Sequence, residues 1–243
     1  MHSPYTSKEL FHFVGHNDPN DHERNFEVLK KILSAGCVSY DPPNNDWGDV
    51  SCKVDWDKSL INEDLIVPTV TCYADISHDS LGVHVKKYGR FALSLPKDML
   101  IKYGARPVMY IPMRDDDWAG IGGGTLLSDL EAVFKGYHEH VSSKLTDTNT
   151  VFSRSLGKAP DTENGAIKAM ENVFVKNFLA YIKPFNSHLD ESHPDNFYME
   201  REWRKYGNMK FSPDDVRGVI VAEGFRSRMI DAYPNYSDRI TEI

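Results

Sequence analysis

Tyr198-Met199-Glu200-Arg201-Glu202-Trp203-Arg204 sets two carboxylates and two guanidiniums around a Tyr and a Trp within seven residues. Read as a strand, it sends successive side chains to opposite faces. Glu200, Glu202 and Arg204 then share one face, and Met199, Arg201 and Trp203 the other. Two carboxylates about 6.5–7 Å apart along a strand make either a charged active-site edge or half of an ion-pair ladder. In the ladder reading, Glu200 and Glu202 pair with Arg201, Arg204 or Arg90 and Trp203 enters the core.

Working outward, Leu10-Phe11-His12-Phe13-Val14 reads as a buried first strand, with His12 on the face opposite the two Phe. Phe26, Leu29, Ile32 and Leu33 recur at helical spacing. Asn20 or Asp21 is placed to cap that helix and Gly36 to stop it. Residues 40–65 read as a long loop. Ile66 to Tyr73 is β-branched, and Pro68 within it favours an edge position. A short helix is expected over 80–88, stopped by Gly89. Strands are expected over 91–95 and 107–111, with a helical connection over 98–103. Leu127 to Val141 and Ile167 to Ile182 mark two longer helices, the second stopped by Pro184. Residues 143–164 and 186–196 read as polar loops. A strand over 216–222 and a short C-terminal helix complete the chain. Strands at both ends with helices between them predict an α+β fold built on small mixed or antiparallel sheets. One domain is expected over 1–243, with a helical insertion at about 115–185.

The chain has 243 residues, 40% hydrophobic and 26% charged, and a net charge of -8. Generic electrostatic binding to nucleic acid needs a concentrated basic face, which this balance does not supply. A nucleic-acid target stays open only through a local groove. Three cysteines, with no CxxC pair, argue against a disulfide scaffold and for a reducing compartment. No secretory leader and no membrane-length apolar run is legible, so a cytoplasmic protein is expected.

Several groups carry side chains capable of chemistry. Cys72-Tyr73-Ala74-Asp75-Ile76-Ser77-His78-Asp79 closes a strand with reactive side chains, but no GxSxG elbow accompanies it. His78, His84, His138 and His140 lack HExxH or CxxC spacing, so no metal site is expected. Gly120-Ile121-Gly122-Gly123-Gly124-Thr125 precedes a helix without a phosphate-loop lysine, behind three aspartates that repel phosphate. His84 and Tyr88 are four apart and share a helix face.

Phe11-His12-Phe13-Val14-Gly15, Leu29-Lys30-Lys31-Ile32-Leu33, Cys72-Tyr73-Ala74-Asp75-Ile76, His84 with Tyr88-Gly89-Arg90-Phe91-Ala92-Leu93, Gly104 to Tyr110 and Glu200 to Arg204 follow one another in an order that resembles the bacterial abortive-infection family AbiGi, phage-resistance antitoxins. The resemblance covers most of the chain outside 115–190. A more distant likeness is to ADP-ribosyltransferase-like proteins, including the DarT toxins, which pair an early His, a middle aromatic or Ser and a late Glu. It implies an ADP-ribosyltransferase-like core using NAD as substrate. His12 matches the early His, Tyr73 or Tyr88 the aromatic, and Glu200 or Glu202 the late Glu. His12, Glu200 and Glu202 are then the catalytic candidates, with His12, Tyr73, Tyr88, His84 and Arg204 around NAD. The middle motif departs from the pattern, since no Ser-Thr-Ser is present, and fold-level likeness does not transfer activity. Two functions follow as expectations. One is a phage-defence protein transferring ADP-ribose to a macromolecule. The other is a non-catalytic antitoxin or sensor that binds a cognate toxin or other protein partner.

Overall fold

The structure is a computed structural model that describes residues 7–39, 51–113, 122–145, 162–190, 193 and 196–243. In chain order the strands and helices are β1 (Glu9–Phe13), α1 (His22–Ala35), β2 (Cys37–Val38), β3 (Cys52–Val54), β4 (Ile66–Pro68), β5 (Val70–Ala74), α2 (Leu81–Tyr88), β6 (Ala92–Pro96), α3 (Lys97–Lys102), β7 (Arg106–Pro107) and β8 (Met109–Met113). They continue as α4 (Gly123–His140), α5 (Glu163–Asn177), β9 (Ile182–Asn186), β10 (Glu202–Tyr206), β11 (Met209–Lys210), β12 (Gly218–Val221), α6 (Arg226–Ala232) and β13 (Ile240–Glu242). This is the α+β class expected from the sequence. The chain forms two compact units, one of residues 1–51, 69–108 and 189–243, the other of 52–68 and 109–188.

The first unit is built on a seven-stranded sheet in the order β13-β12-β6-β1-β5-β10-β7. Its pairings are antiparallel except for the parallel β12/β13 pair. Both faces are covered. On one, Leu10, Tyr73, Leu93, Leu95, Val219 and Val221 pack with Phe26, Leu29 and Leu33 of α1, Leu100 of α3 and Met229 of α6. On the other, Phe11, Ala74, Ala92 and Ile220 pack with Leu81 and Val85 of α2. β1 therefore places neighbouring side chains, Leu10 and Phe11, in two different cores, as period 2 requires.

The helix α1 forms where its signals stand. The Asp21 side chain accepts from the Arg24 amide, and Gly36 closes the helix in the left-handed region at φ 57°. Gly15 ends β1 against α2, its amide donating to the Tyr88 carbonyl at 2.9 Å. A Cβ at Gly15 would press into that carbonyl.

In the second unit, β3 pairs antiparallel with β4, and β8 pairs parallel with β9. Helices α4 and α5 meet through Phe134 and Phe174, whose rings are 6.2 Å apart. Trp56 stacks on Phe134 at 5.1 Å and on His138 at 3.9 Å. His138 Nδ1 lies 2.8 Å from Glu171 on α5, which also accepts from the Ser142 hydroxyl.

Several expected elements differ. Tyr198 to Arg204 is not one strand: Phe197–Glu200 is a 3-10 turn, Arg201 is left-handed at φ 44°, and β10 begins at Glu202. The Asn196 side chain accepts from the Tyr198 amide and so stabilises the turn. The second long helix ends at Asn177 rather than running to Ile182, because 182–186 are drawn into the ladder with β8. Pro184 sits inside that two-stranded ribbon, where an outer edge tolerates a missing N–H. The expected strand over 66–73 breaks at Thr69 into β4 and β5, and that over 107–111 breaks at Val108 into β7 and β8, in each case between the two units. The 40–65 stretch holds a strand, β3, while 40–50 lies outside the described residues, as does most of the 143–164 loop.

Replacing Gly15 by Ala is expected to lower stability by roughly 2 kcal/mol, the usual scale of overpacking. The check is the urea midpoint at unchanged m-value, with Gly82→Ala, whose Cβ meets open space, as the tolerated control.

Candidate functional site

The sequence candidates fall on two sides of the first unit's sheet. Register aligns Phe11 with Ala74 and Ala74 with Glu202, so these three share a face. It aligns Tyr73 with Trp203 and His12 with Leu93 on the opposite face. His12 and Tyr73 are thus together, with ring centroids 5.7 Å apart. Glu202 and Arg204 stand behind the sheet from them. The structure does not bring His12 to either glutamate.

His12 is half-buried, and its Nδ1 lies 2.9 Å from the Cys72 carbonyl oxygen. A carbonyl only accepts, so the ring donates through Nδ1. Burial holds His12 below its ordinary value, against the opposing pull of the Cys72 carbonyl. Tyr73 is buried in the core, its hydroxyl 3.1 Å from Thr71, and burial pushes its phenol up.

Glu202 and Arg204 are both buried and form a forked pair, Nε donating to Oε1 at 2.7 Å and Nη2 to Oε2 at 3.4 Å. Two residues apart on β10, they share a face, and their mutual neutralisation is what makes their burial tolerable. This is the ion-pair reading of the segment, with Trp203 packed against the opposite core.

Glu200 leaves that face because the chain turns at Arg201. It meets α2 instead, accepting from Lys87 Nζ at 2.5 Å and from the Tyr88 hydroxyl. Burial, and then the Glu200 carboxylate beside it, push the Tyr88 phenol up, so Tyr88 stays protonated and donates. The Lys87 ammonium also lies 4.0 Å from the Phe197 ring centroid. His84, one turn before Tyr88, is buried, with Nε2 3.2 Å from the Glu200 carbonyl oxygen. Its ring stacks on Phe13 at 5.6 Å. Burial lowers the His84 pKa against the opposing pull of that carbonyl contact. Around these side chains is a cavity of about 170 Å³ between α2 and the 197–200 turn, bounded also by Val83, Lys86, His193, Asn196 and Met199.

His84, Tyr88 and Glu200 therefore converge, whereas His12, Tyr73, Glu202 and Arg204 lie elsewhere. Lys87 was missed, although its place beside Tyr88 on a short helix with three-residue spacing from His84 was readable. A second missed pair is Asp75 with Lys97, 2.6 Å apart, whose ammonium lies 4.8 Å from the Trp203 ring. Among the described residues no group of three or more His, Cys, Asp or Glu is placed to hold a metal. No helix among them is long and apolar enough to cross a membrane.

Two consequences are measurable. Glu202→Ala removes the carboxylate to which Arg204 Nε and Nη2 donate inside the fold and is expected to cost about 3–5 kcal/mol. The double variant Glu202→Leu/Arg204→Met should recover at least half of that loss in urea unfolding, since it removes both charges. The histidines add a pH dependence. Both are held below the ordinary 6.5 in the folded chain. Below pH 6.5 the unfolded chain binds more protons than the folded one, so stability falls as pH drops through that window. The slope of unfolding free energy against pH between 6.5 and 5 should flatten in His12→Asn and in His84→Asn.

No curated protein and no solved structure matches the chain. Residues 51–240, most of the 243, match the family model described as "Putative abortive phage resistance protein AbiGi, antitoxin". The chain belongs to this AbiGi abortive-infection family.

Proposed function

We propose that this chain is the antitoxin of an abortive-infection defence pair and acts by binding a cognate toxin protein. The observation that carries the reading is the family match over 51–240, whose description names an antitoxin. The geometry supports it from two sides. The charged side chains of the 200–204 segment are engaged with partners inside the first unit, with Glu202 on Arg204 and Glu200 on Lys87 and Tyr88. The second unit meanwhile exposes large apolar side chains along its helices. Val133 is 72% and Leu126 47% exposed on α4, and Met170 is 59% exposed on α5. Exposed apolar side chains of this density on one helix pair suit contact with another protein.

The competing reading, ADP-ribosyl transfer from NAD, rests on the convergence of His84, Tyr88 and Glu200 on one cavity. It would use Glu200 rather than Glu202, and His84 rather than His12. The carboxylate would stabilise positive charge developing on the ribose as nicotinamide departs.

One experiment separates the two. The chain is co-expressed with the product of its adjacent gene, and the purified chain is assayed for NAD turnover with cell lysate as acceptor. Relief of growth arrest, together with a co-eluting complex, is expected, and Val133→Asp should weaken that complex at least tenfold while remaining folded by circular dichroism. A folded chain that relieves no arrest and forms no complex overturns the antitoxin reading. NAD consumption lost in Glu200→Ala would then put the transferase in its place.

A further inference from the structure

The second unit leaves one side of its helix pair open. Helices α4 and α5 run antiparallel, since contacts advance along one as they recede along the other. Phe134 meets Phe174, His138 meets Glu171, and the Lys168 ammonium donates to the Ser142 hydroxyl at 2.8 Å. One side of α4 is covered by the 52–68 segment. Trp56 stacks on Phe134 and His138, Glu131 accepts from the Leu60 amide at 2.8 Å, and Lys135 donates to the Lys58 carbonyl at 2.8 Å. Val133 stands two residues from both Glu131 and Lys135, about 200° round a helix of 3.6 residues per turn, and so points away from that cover.

Val133 also stands one residue before Phe134, as Val173 does before Phe174 and Met170 before Glu171. In an antiparallel pair, one step back from each facing residue turns both side chains to the same side of the pair. Val133 with Leu126, seven residues earlier, and Met170 with Val173 therefore form two neighbouring apolar ridges, all four exposed. Packed helices lie about 8–10 Å apart, so the groove between such ridges takes one ridge of a third helix. Spacings of three and seven are those of a helix-on-helix seam.

The exposed charges beside the ridges have one sign. On α4 and α5 the exposed charged residues are Asp129, Glu139 and Glu163. The lysines of these helices are half-buried, with Lys135 held by Glu131 and Lys168 by Glu171. Asp129 and Glu163 each lie near the start of their helix, and so toward opposite ends of the face, roughly 25 Å apart along the axes at 1.5 Å per residue. A second copy laid on this face, in either direction, brings carboxylate to carboxylate, which is unfavourable.

We propose that α4 and α5 receive an amphipathic helix of the toxin, apolar on one side and carrying lysine or arginine toward both ends. Its apolar side seats between Val133 on α4 and Met170 and Val173 on α5, and its cations reach Asp129 and Glu163. This rests on the antitoxin reading and names the partner's element and its chemistry. In such helix-in-groove recognition the apolar anchors hold the complex, while the rim charges speed encounter and make affinity fall with added salt.

The test uses the full chain in two arms. In the first it is titrated with the product of its adjacent gene. Asp129→Lys/Glu163→Lys is expected to weaken the complex at least tenfold and to flatten its salt dependence. Glu223→Lys/Asp231→Lys makes the same charge change at exposed positions of the first unit and should leave affinity within about twofold. Gly136→Trp, whose Cβ enters open space, should obstruct the groove in a chain still folded by circular dichroism. The second arm reads the surface without the toxin. Its probes are a three-heptad peptide with leucine on one face and lysine on the other, and the leucine–glutamate twin. Saturable binding of the lysine peptide is expected, lost in Asp129→Lys/Glu163→Lys and kept in Glu223→Lys/Asp231→Lys. Peptide binding of this kind with no toxin complex removes the antitoxin reading and keeps the helix site. A toxin complex indifferent to the α4 and α5 variants does the reverse. Equal binding of the two peptides, or an equal loss in both double variants, overturns the proposal. So does a dimer of the chain alone that Gly136→Trp dissolves, which assigns the face to a second copy.

Discussion

The first unit depends on one constraint: helices pack on both faces of its central sheet, so most side chains of its inner strands are buried on either side. A strand's side chains alternate with period 2, so a strand covered on both sides has little solvent face on which to place charge. β1 illustrates it, with Leu10 fully inside one core and Phe11 inside the other. The buried polar residues of these strands must then find their partners within the fold. His12 takes the Cys72 carbonyl, Thr71 takes the Tyr73 hydroxyl, and Arg204 takes Glu202. Lys205, also buried, donates to the Tyr206 and Asn208 carbonyls. Burial lowers its pKa, and the two carbonyls satisfy the ammonium in return.

The same alternation decides which side chains can work together. Residues paired across strands share a face, so a catalytic group assembled from β1, β5 and β10 must obey the register. The pairing of Phe11 with Ala74 and of Ala74 with Glu202 assigns Glu202 to the face opposite His12. A seven-stranded sheet is a wall between them, and side-chain rotation cannot cross it. A His, a Tyr and a Glu meet instead outside the strands, where α2 and the 197–200 turn bring His84, Tyr88 and Glu200 together.

Much of the framework was legible from local signals. Asp21 and Gly36 bracket α1 as cap and stop, because both act through backbone hydrogen bonds within a few residues of themselves. The alternation of β1 and the α2 stop at Gly89 were readable for the same reason. What was not legible depends on distant pairing. β9 follows α5 closely and carries Pro184, so its residues read as a helix end until β8 lies beside them. β3 is three residues long and becomes a strand only opposite β4. Of the candidate site, the grouping of His84 with Tyr88 was local and readable. Their meeting with Glu200 spans more than a hundred residues and was not.

Arg201 shows how these pressures are balanced. A continuous strand from Tyr198 to Arg204 would set Glu200 beside Glu202 on one buried face, about 6.5–7 Å apart, with Arg204 as their nearest cation on that strand. Two carboxylates sharing one guanidinium in an apolar setting repel each other, and one of them must take up a proton or lose its pairing. The chain instead places Arg201 in the left-handed region, which costs an ordinary residue about 1–2 kcal/mol. An uncompensated buried charge costs several kcal/mol, so the strained backbone is the cheaper solution. The turn is held by Asn196 on the near side and, on the far side, by the Asp75 amide donating to the Arg201 carbonyl at 3.1 Å. Its result is that Glu202 stays with Arg204 while Glu200 swings to Lys87 and Tyr88. The segment that reads as a uniform charged ladder is thereby divided, one half closing the core and the other forming a wall of the α2 cavity.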